Sequence, residues 1–425
     1  MMDTERTPNQ IIAGGMLATA HLFAVLQVHP LWNTAHLVLI ALFVFSGFSQ
    51  AMLRVLACFT LAYFLVAFDE MPGTFFLLTA ATALLAFDAA EKNNLRLALF
   101  LGYGLAFFHK LNRDFLDPSL SCAGDVLTLA PFLRPWMEVA WLREVLPGAA
   151  LAVEGFLAFG LLWRVTMPWS FLVAVMFHLA MSPAEIYAIP QILMLLFTGY
   201  FLFDAPFWTA RRARHFVAWH LALAAPFLWR KIMMSWGAPS PAWFFGWGWS
   251  TTYFIFLISN ALVILHFAAA AIFTRTPARA LSWPEWKRSR RGVALLIVML
   301  LWGLQPYLGL STAHSMIMHS NLRTEKSSNH LLLGWLPPIF DFQNDAVTWQ
   351  EYRQMLSHCP SSLVHAMPLF TPLAEFGHVP FGEFEWMPRF EAEKRAAFCR
   401  GERLGWRQYL IFRPYDHPGP NRCRK

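Results

Sequence analysis

Long apolar runs separated by short charged clusters constrain the fold of this chain more than any other feature. They recur through residues 11–310, and 57% of all residues are hydrophobic while only 14% are charged. A soluble globular protein usually has about 25% charged residues. Repeated apolar runs near the length of a bilayer-crossing helix predict an all-α polytopic membrane protein with about 9–11 transmembrane helices.

The candidate spans have approximate bounds. They are 11–28, 35–49, 53–68, 73–88, 95–109, 147–163, 168–184, 186–203, 215–230, 251–273 and 293–310. Several are shorter than the ~20 residues that a perpendicular helix needs to cross a bilayer core. Adjacent pairs could therefore merge or form re-entrant hairpins. Together the spans define a predicted transmembrane helical domain over residues 1–310, with a site at its outer face.

Basic clusters between the apolar runs predict the orientation. The strongest are "TRTPARALSWPEWKRSRR" at 274–291 and "RRAR" at 211–214. Clusters of this kind mark cytoplasmic loops, so we expect a cytoplasmic N-terminus and an extracytoplasmic C-terminal domain. The net charge of +7 is spread over such clusters and does not indicate a nucleic-acid partner.

The C-terminal part, residues 311–425, differs in composition because prolines and charges are interspersed with apolar residues. Within it, "WRQYLIFRPY" at 406–415 alternates enough to predict a strand. "EFEWMPRFEAEKRAAFCRG" at 383–401 ends with a glycine, as helices often do. These patterns predict a small extracytoplasmic α+β domain.

Four of the five cysteines fall on the outer side of the predicted topology. They are Cys122, Cys359, Cys399 and Cys423, whereas Cys58 lies within a predicted span. Four cysteines allow three pairings, and an oxidising compartment would permit disulfides. Free thiols are the alternative, and the sequence leaves both open.

The stretch "GYGLAFFHKLNRDF", residues 102–115, places a lysine at the end of an apolar run. In one interpretation Lys110 is a snorkelling residue whose amine reaches the lipid headgroups. In the other it is a general base in a dehydrated pocket. Desolvation disfavours a charged ammonium, so an amine in such a pocket can accept a proton near neutral pH.

Two further polar features lie in or beside apolar runs. His178 occurs within "VAVMFHLAMSPAEIYAIPQ", where a carbonyl could satisfy it in the core or it could mark a functional site. The segment "STAHSMIMHSNLRTEKSSNH", 311–330, follows the last predicted span and is dense in polar groups. His314 and His319 are five residues apart rather than four, which weakens a metal site as an alternative.

The predicted topology places Lys110, His178 and the segment 311–330 at the same membrane face. A site there can receive a lipid-soluble reactant from the bilayer and a polar reactant from the water. This coincidence favours the interpretation of Lys110 as a base.

At these residues the chain resembles the vitamin K-dependent gamma-carboxylase family and its bacterial relatives, the horizontally transferred transmembrane domain proteins. Three segments are similar in order and spacing over roughly residues 95–335. They are "YGLAFFHKLNRDFLDPSLSCA", "VMFHLAMSPAEIYAIPQILMLL" and "PYLGLSTAHSMIMHSNLRTEKSSNHLLL".

The resemblance implies an enzyme that couples oxidation of reduced vitamin K to its epoxide with carboxylation of a peptide Glu. The implied cofactor is reduced vitamin K or a menaquinol-type quinone, with O2 and CO2 as co-substrates. The implied partners are membrane lipid, the lipid-soluble quinol and a Glu-containing protein or peptide. The implied residues are Lys110, His178 and His319 for catalysis, and His109, Asn112, Met318 and Asn321 for cofactor binding.

Three hypotheses predict different environments for these residues. The enzyme requires Lys110 to be buried and close to both His178 and His319. A non-enzymatic membrane protein that binds quinone or lipid, or moves a small solute, requires Lys110 to face headgroups while His178 is satisfied in the core. A structural or assembly protein would bind a partner through an exposed apolar patch of its C-terminal part.

Overall fold

The computed structural model describes most of the chain up to residue 340. The described residues are 8–24, 30–66, 73–87, 92–127, 134–163, 165–181, 192–193, 196, 209–235, 290–310, 320–322, 324, 328–337 and 339–340. The predicted strand at 406–415, the predicted helix at 383–401 and the predicted span 251–273 lie outside them.

The described residues are mostly helical. The helices are α1 Pro8–Ala24, α2 Pro30–Phe45, α3 Gln50–Val66, α4 Gly73–Phe87, α5 Lys92–Lys110, α6 Arg113–Leu116, α7 Cys122–Leu127, α8 Ala140–Gly160, α9 Met167–Met181, α10 Ala210–Ser235, α11 Arg290–Gly303 and α12 Gln305–Leu308, with a 3₁₀ helix at Arg134–Glu138. The apolar segments that begin near residues 11, 35, 53, 73 and 95 therefore do form helices.

Within the described chain, no helix has both the length and the apolar character needed to cross a membrane. This finding contradicts the predicted polytopic membrane fold. The predicted multi-pass localisation, with its cytoplasmic N-terminus and extracytoplasmic C-terminal domain, is contradicted with it. The same holds for the classification as a transmembrane-domain protein.

Helix length and composition explain why the hydropathy pattern wrongly predicted membrane-spanning helices. The helices α2, α4 and α9 have 16, 15 and 15 residues, fewer than the ~20 of a perpendicular span. Two of the longer helices begin with polar sequence, "KNNLR" in α5 and "ARRARH" in α10, and the 21-residue α8 contains Arg143, Glu144 and Glu154. High average hydrophobicity is thus divided among helices that are short or carry charged residues.

The predicted α+β character of the C-terminal domain is also not supported. In the described residues after 310 there is no strand, and the extended pairing is an isolated antiparallel bridge between Asn112 and His330. The predicted division into 1–310 and 311–425 stays a prediction, because most residues after 310 lie outside the described chain.

The chain groups into two compact units that are not continuous in sequence. The first comprises Met1–Leu65, Thr74–Gly104 and Val153–Met299, and the second comprises Val66–Gly73, Leu105–Ala152 and Leu300–Lys425. Each is described by itself below.

In the first unit, α1 packs against α10 at a glycine. A Cβ atom on Gly15 would collide with the side chain of Val217, so the two helices approach closely only because that position lacks a side chain. Polar side chains are also buried here. His21 contacts the ring of His36 (Nδ1 to Nε2, 3.1 Å) and the hydroxyl of Thr82 (Nε2 to Oγ1, 2.9 Å).

Helix α2 of this unit has an unusual distribution of side chains. Its buried face includes the polar residues Asn33 and His36, whereas its exposed face includes Leu31, Leu42 and Phe45. The buried polar groups are hydrogen-bonded, for example by the Tyr63 hydroxyl donating to Asn33 Oδ1 at 2.9 Å. The helix therefore turns polar side chains inward and leaves large apolar side chains exposed.

Candidate functional site

The end of α5 positions the candidate site in the second unit. The helix ends at Lys110, and the backbone then becomes extended at Asn112 (φ −135°, ψ 159°), which caps the short helix α6. The Asn112 side-chain oxygen accepts the Phe115 backbone N–H at 2.8 Å. Asparagine is among the strongest N-cap residues, so the local sequence "KLNRDF" accounts for this break between two helices.

The amide of Asn112 joins two distant parts of the chain. Its nitrogen donates to the backbone carbonyl of His109 at 2.8 Å and to that of Ser320. Its oxygen accepts from Asn329 at 3.4 Å in addition to the cap bond. The two N–H groups and the two acceptor sites of this buried amide are therefore all engaged by the protein.

Two further asparagines complete this connection. Asn329 donates to the Asp114 carboxylate and to the Asn321 carbonyl, each at 2.9 Å. Asn321, with a left-handed backbone (φ 55°), accepts the Cys122 backbone N–H at 2.9 Å and donates to the Leu120 carbonyl at 2.8 Å. We call Asn112, Asn321 and Asn329 the asparagine cluster.

Aromatic rings lie beside the asparagine cluster. The ring of His109 stacks on Tyr307 with centroids 5.6 Å apart, and its Nδ1 is 3.0 Å from the Tyr307 hydroxyl. The rings of Phe108 and His330 contact the other edges of Tyr307 at 5.3 and 5.1 Å. Burial raises the pKa of Tyr307 well above its usual value, so this phenol keeps its proton and can donate to His109.

The hydrogen bonds of His330 assign its neutral tautomer. Nε2 lies 2.8 Å from the Phe108 carbonyl, which can only accept, so Nε2 holds the proton. Nδ1 accepts the backbone N–H groups of Leu332 and Leu333 at 3.2 and 3.1 Å. Burial lowers the pKa of His330, although the bond to the Phe108 carbonyl acts in the opposite direction.

Lys110 is buried in this unit. Its side chain is only 5% exposed, and its amine lies 5.8 Å from the centroid of the Phe115 ring. Phe115 is itself held by α6, which the Asn112 cap begins, so the asparagine cluster indirectly fixes the surroundings of the lysine.

His178 belongs to the first unit and has a defined partner there. Its Nε2 lies 2.8 Å from the hydroxyl of Tyr103, within a buried environment. Burial lowers the pKa of His178 to about 3. Burial, and secondly the charge of Glu154, raise the pKa of Tyr103, so the phenol donates and the neutral imidazole accepts.

The structure thus places the predicted site residues in three groups. His109, Lys110, Asn112 and Asn321 lie in the second unit, where hydrogen bonds connect Asn112 to His109 directly and to Asn321 through Asn329. His178 lies in the first unit. Met318 and His319 lie outside the described residues, and their assigned roles stay predictions.

Two residues of the site, Asn329 and His330, were noted from the sequence without an assigned role, and a third, Tyr307, was not noted. Asn329 and His330 belong to the polar segment 311–330, whose density of polar groups was the available signal. Tyr307 stands within the apolar sequence "LQPYLG" and offers no pattern that distinguishes it from a core aromatic residue.

The arrangement contains a buried amine, a protonated phenol and two imidazoles, which are groups that can hold or move protons. In the described residues no cluster of three or more His, Cys, Asp or Glu side chains could hold a metal ion. No family model, no curated protein and no solved structure matches this chain.

Proposed function

We propose that this protein is a quinol-dependent enzyme in which Lys110 is the general base, coupling oxidation of a reduced vitamin K-type quinol to carboxylation of a peptide Glu. The observation that supports this most is the burial of Lys110. A lysine that serves only to reach polar surroundings keeps its charged end exposed, whereas the side chain of Lys110 is 5% exposed.

The residues around Lys110 fit a quinol in part. Phe108, Tyr307 and Phe115 supply ring surface in the same unit, and a flat quinol ring is suited to such contacts. Asn112 fits less well, because its amide is already fully engaged by backbone and side-chain groups. Asn112 is therefore not proposed as a partner of a quinol hydroxyl.

In the proposed reaction Lys110 Nζ accepts the proton of a quinol hydroxyl, and the buried surroundings exclude water. When bound, the reduced quinol would supply four electrons to O2, two as it becomes a quinone and two as its 2,3 double bond becomes the epoxide; this chemistry would provide the strong base that removes a Glu γ-proton, with one oxygen atom ending in the epoxide and the other in water. A carbon–carbon bond to CO2 replaces the broken C–H bond. Overall, quinol, O2, CO2 and Glu give epoxide, water, γ-carboxyglutamate and one proton.

Epoxide formation by the purified full chain, supplied with reduced vitamin K and oxygen, tests this proposal. Lys110→Met keeps an unbranched side chain of similar size but removes the amine. Since a positioned general base contributes about 10²- to 10⁴-fold to a rate, we expect a loss of this size. Arg113→Met is the matched control, because Arg113 is an exposed cation three residues away and its loss should leave the rate unchanged.

Equal rates in the wild type and Lys110→Met, with both proteins folded, would refute the role of Lys110. Absence of epoxide from folded wild type that still binds quinol would refute the enzyme. The second result would favour the alternative, a non-enzymatic protein that binds quinone or lipid. One observation already favours that alternative, since His178 is satisfied by Tyr103 in the core.

A further inference from the structure

An apolar loop follows His330 directly. It comprises residues 331–340, "LLLGWLPPIF", which include no charged residue, and Pro338 is the one member outside the described residues. Trp335 and Ile339 are 77% and 73% exposed, and Leu331, Leu332, Leu336 and Phe340 are exposed as well. This is a concentration of exposed apolar side chains in one short segment.

Hydrogen bonds hold the loop at both ends. At its start the Leu331 N–H donates to the Leu111 carbonyl at 2.8 Å, and His330 Nδ1 accepts the next two backbone N–H groups. At its end the Phe340 N–H donates to the Leu308 carbonyl at 2.9 Å. The exposed side chains are therefore displayed by an ordered backbone.

A glycine permits the turn within the loop. A Cβ atom on Gly334 would lie 2.6 Å from the His330 carbonyl oxygen, so no other residue fits without displacing the backbone. The Leu336 N–H then donates to the Leu333 carbonyl at 3.1 Å. Trp335, which follows Gly334 directly, is the most exposed large apolar side chain among the described residues of the loop, at 77%.

The exposure pattern indicates that the loop projects from its unit. From residue 331 to 337, every residue except Leu333 is exposed. A strand or helix lying against a surface would alternate between buried and exposed residues. Exposure at six of the seven positions, on both sides of Leu333, instead indicates that the segment projects from the surface of its unit and can enter lipid or a deep cleft.

The chemistry of the loop favours lipid over a protein partner. A protein interface combines an apolar centre with a polar rim, and this segment has no polar side chain other than the Trp335 indole. Tryptophan is enriched where lipid meets water, because its ring is apolar and its N–H is polar. Leucine, isoleucine and phenylalanine beside it would enter the acyl region.

We propose that the apolar loop inserts into the surface of a lipid bilayer and attaches the second unit to it from one side. The contact is apolar, so it requires neither anionic lipid nor low salt. The inference does not depend on the quinol proposal. If both hold, the loop would bring the ring cluster at His330 and Tyr307 close to the source of a lipid-soluble quinol.

Co-sedimentation of the purified full chain with phosphatidylcholine vesicles tests the proposal without any quinol. We expect the wild type to sediment with the vesicles, also in about 0.5 M sodium chloride, because apolar contacts are not screened. The double variant Trp335→Ser, Ile339→Ser should bind at least about tenfold more weakly, since it removes two large apolar groups from lipid. Trp335→Phe should retain most of the binding.

Trp136→Ser is the matched control, since Trp136 is 61% exposed in the same unit but outside the loop. It should bind within about twofold of the wild type. Wild type that stays in the supernatant, or a folded double variant that binds as tightly as wild type, would overturn the proposal.

Sedimentation velocity without vesicles provides a further test. If the double variant abolished self-association of the wild type, the loop would be an interface between copies and the lipid proposal would fail.

Discussion

The side-chain amide of Asn112 makes more defined contacts than any other group discussed at the site. Asn112→Asp keeps the shape of the side chain but replaces both N–H donors with an acceptor. At neutral pH the new carboxylate would face the carbonyls of His109 and Ser320 without donors. We expect the free energy of unfolding to fall by about 3 kcal/mol, as measured by urea denaturation.

Ser119→Ala is a suitable comparison for Asn112→Asp. Its hydroxyl also hydrogen-bonds, donating to Asp117 at 2.6 Å, but both residues are exposed. The expected loss is below about 1 kcal/mol, because water replaces an exposed hydrogen bond. Similar losses for the two variants would show that the asparagine cluster does not hold the second unit together.

The lowered pKa of His178 leads to a prediction about how stability depends on pH. Its pKa is about 3 in the folded protein, against 6.5 for an ordinary histidine. The unfolded chain therefore binds a proton more readily, and stability should decrease as pH falls from about 6.5 towards 3. A buried histidine with a pKa lowered in this way contributes about 1.4 kcal/mol per pH unit to the slope of the free energy of unfolding against pH over that range.

His178→Gln should reduce this slope by about 1.4 kcal/mol per pH unit, which corresponds to one proton. The slope would be measured from urea unfolding between about pH 6.5 and 4. Above this range the variant should show no difference in slope from the wild type. An identical slope below pH 6 would mean that His178 is not the neutral, buried imidazole described above. The buried His220, whose pKa burial lowers to about 4, would keep its own contribution in both proteins.

At the scale of single residues, the sequence was informative where polar groups interrupt apolar runs. Lys110 and Asn112 were recognisable because "HKLNRD" follows a long apolar stretch, and Asn321 because it lies in a polar segment. The contacts between them were not predictable. They join residues about 200 positions apart, such as Asn112 with Ser320 (208 residues) and Cys122 with Asn321 (199 residues), and no local pattern specifies such pairs.

Helix α2 allows a direct comparison of its two faces. Phe43 is 1% exposed and Phe45 is 88% exposed, although only one residue separates them. Phe43→Ala should lower the free energy of unfolding by about 3–5 kcal/mol through loss of buried surface and formation of a cavity. Phe45→Ala should change it by no more than about 0.5 kcal/mol.

Thermal and urea unfolding of the two variants would check this difference. Equal destabilisation would contradict the assignment of the buried face of α2. A large effect of Phe45→Ala alone would show that another surface covers the exposed face in solution.

At the scale of elements, the apolar runs predicted the presence of helices better than their ends. The predicted span 35–49 shows the reason. Gly47 and Phe48 adopt left-handed conformations (φ 62° and 67°), so α2 stops at Phe45, four residues before the predicted end. Hydropathy does not detect such a stop. At its other end α2 begins at Pro30, five residues before the predicted start, so the helix has 16 residues and remains shorter than the ~20 of a perpendicular membrane span.

At the scale of the whole molecule, the two units could not have been predicted from the sequence. Each combines three separated stretches of chain, and α5 and α8 extend across the boundaries of those stretches. Composition changes along the sequence suggested a boundary near residue 310, but long-range contacts rather than local composition determine how the described chain is grouped.

The cysteines provide a test at this scale. Cys122 is disulfide-bonded, whereas Cys58 is a free and exposed thiol. Alkylation of the native chain without a reductant, followed by peptide mass spectrometry, should modify Cys58 and leave Cys122 unmodified. Reduction should lower stability by about 2–4 kcal/mol. Alkylation of Cys122 before reduction would show that the bond is absent.

The proposed role of Lys110 depends most on the burial of its amine, and competitive acylation measures that burial directly. The full chain would be treated with a trace of labelled acetic anhydride in native and in denatured form, and the rate at Lys110 read by peptide mass spectrometry. We predict at least about tenfold slower reaction in the native protein, because the amine reacts only when the structure opens locally. Equal rates in both forms would mean that Lys110 is exposed, and the proposed base would be lost.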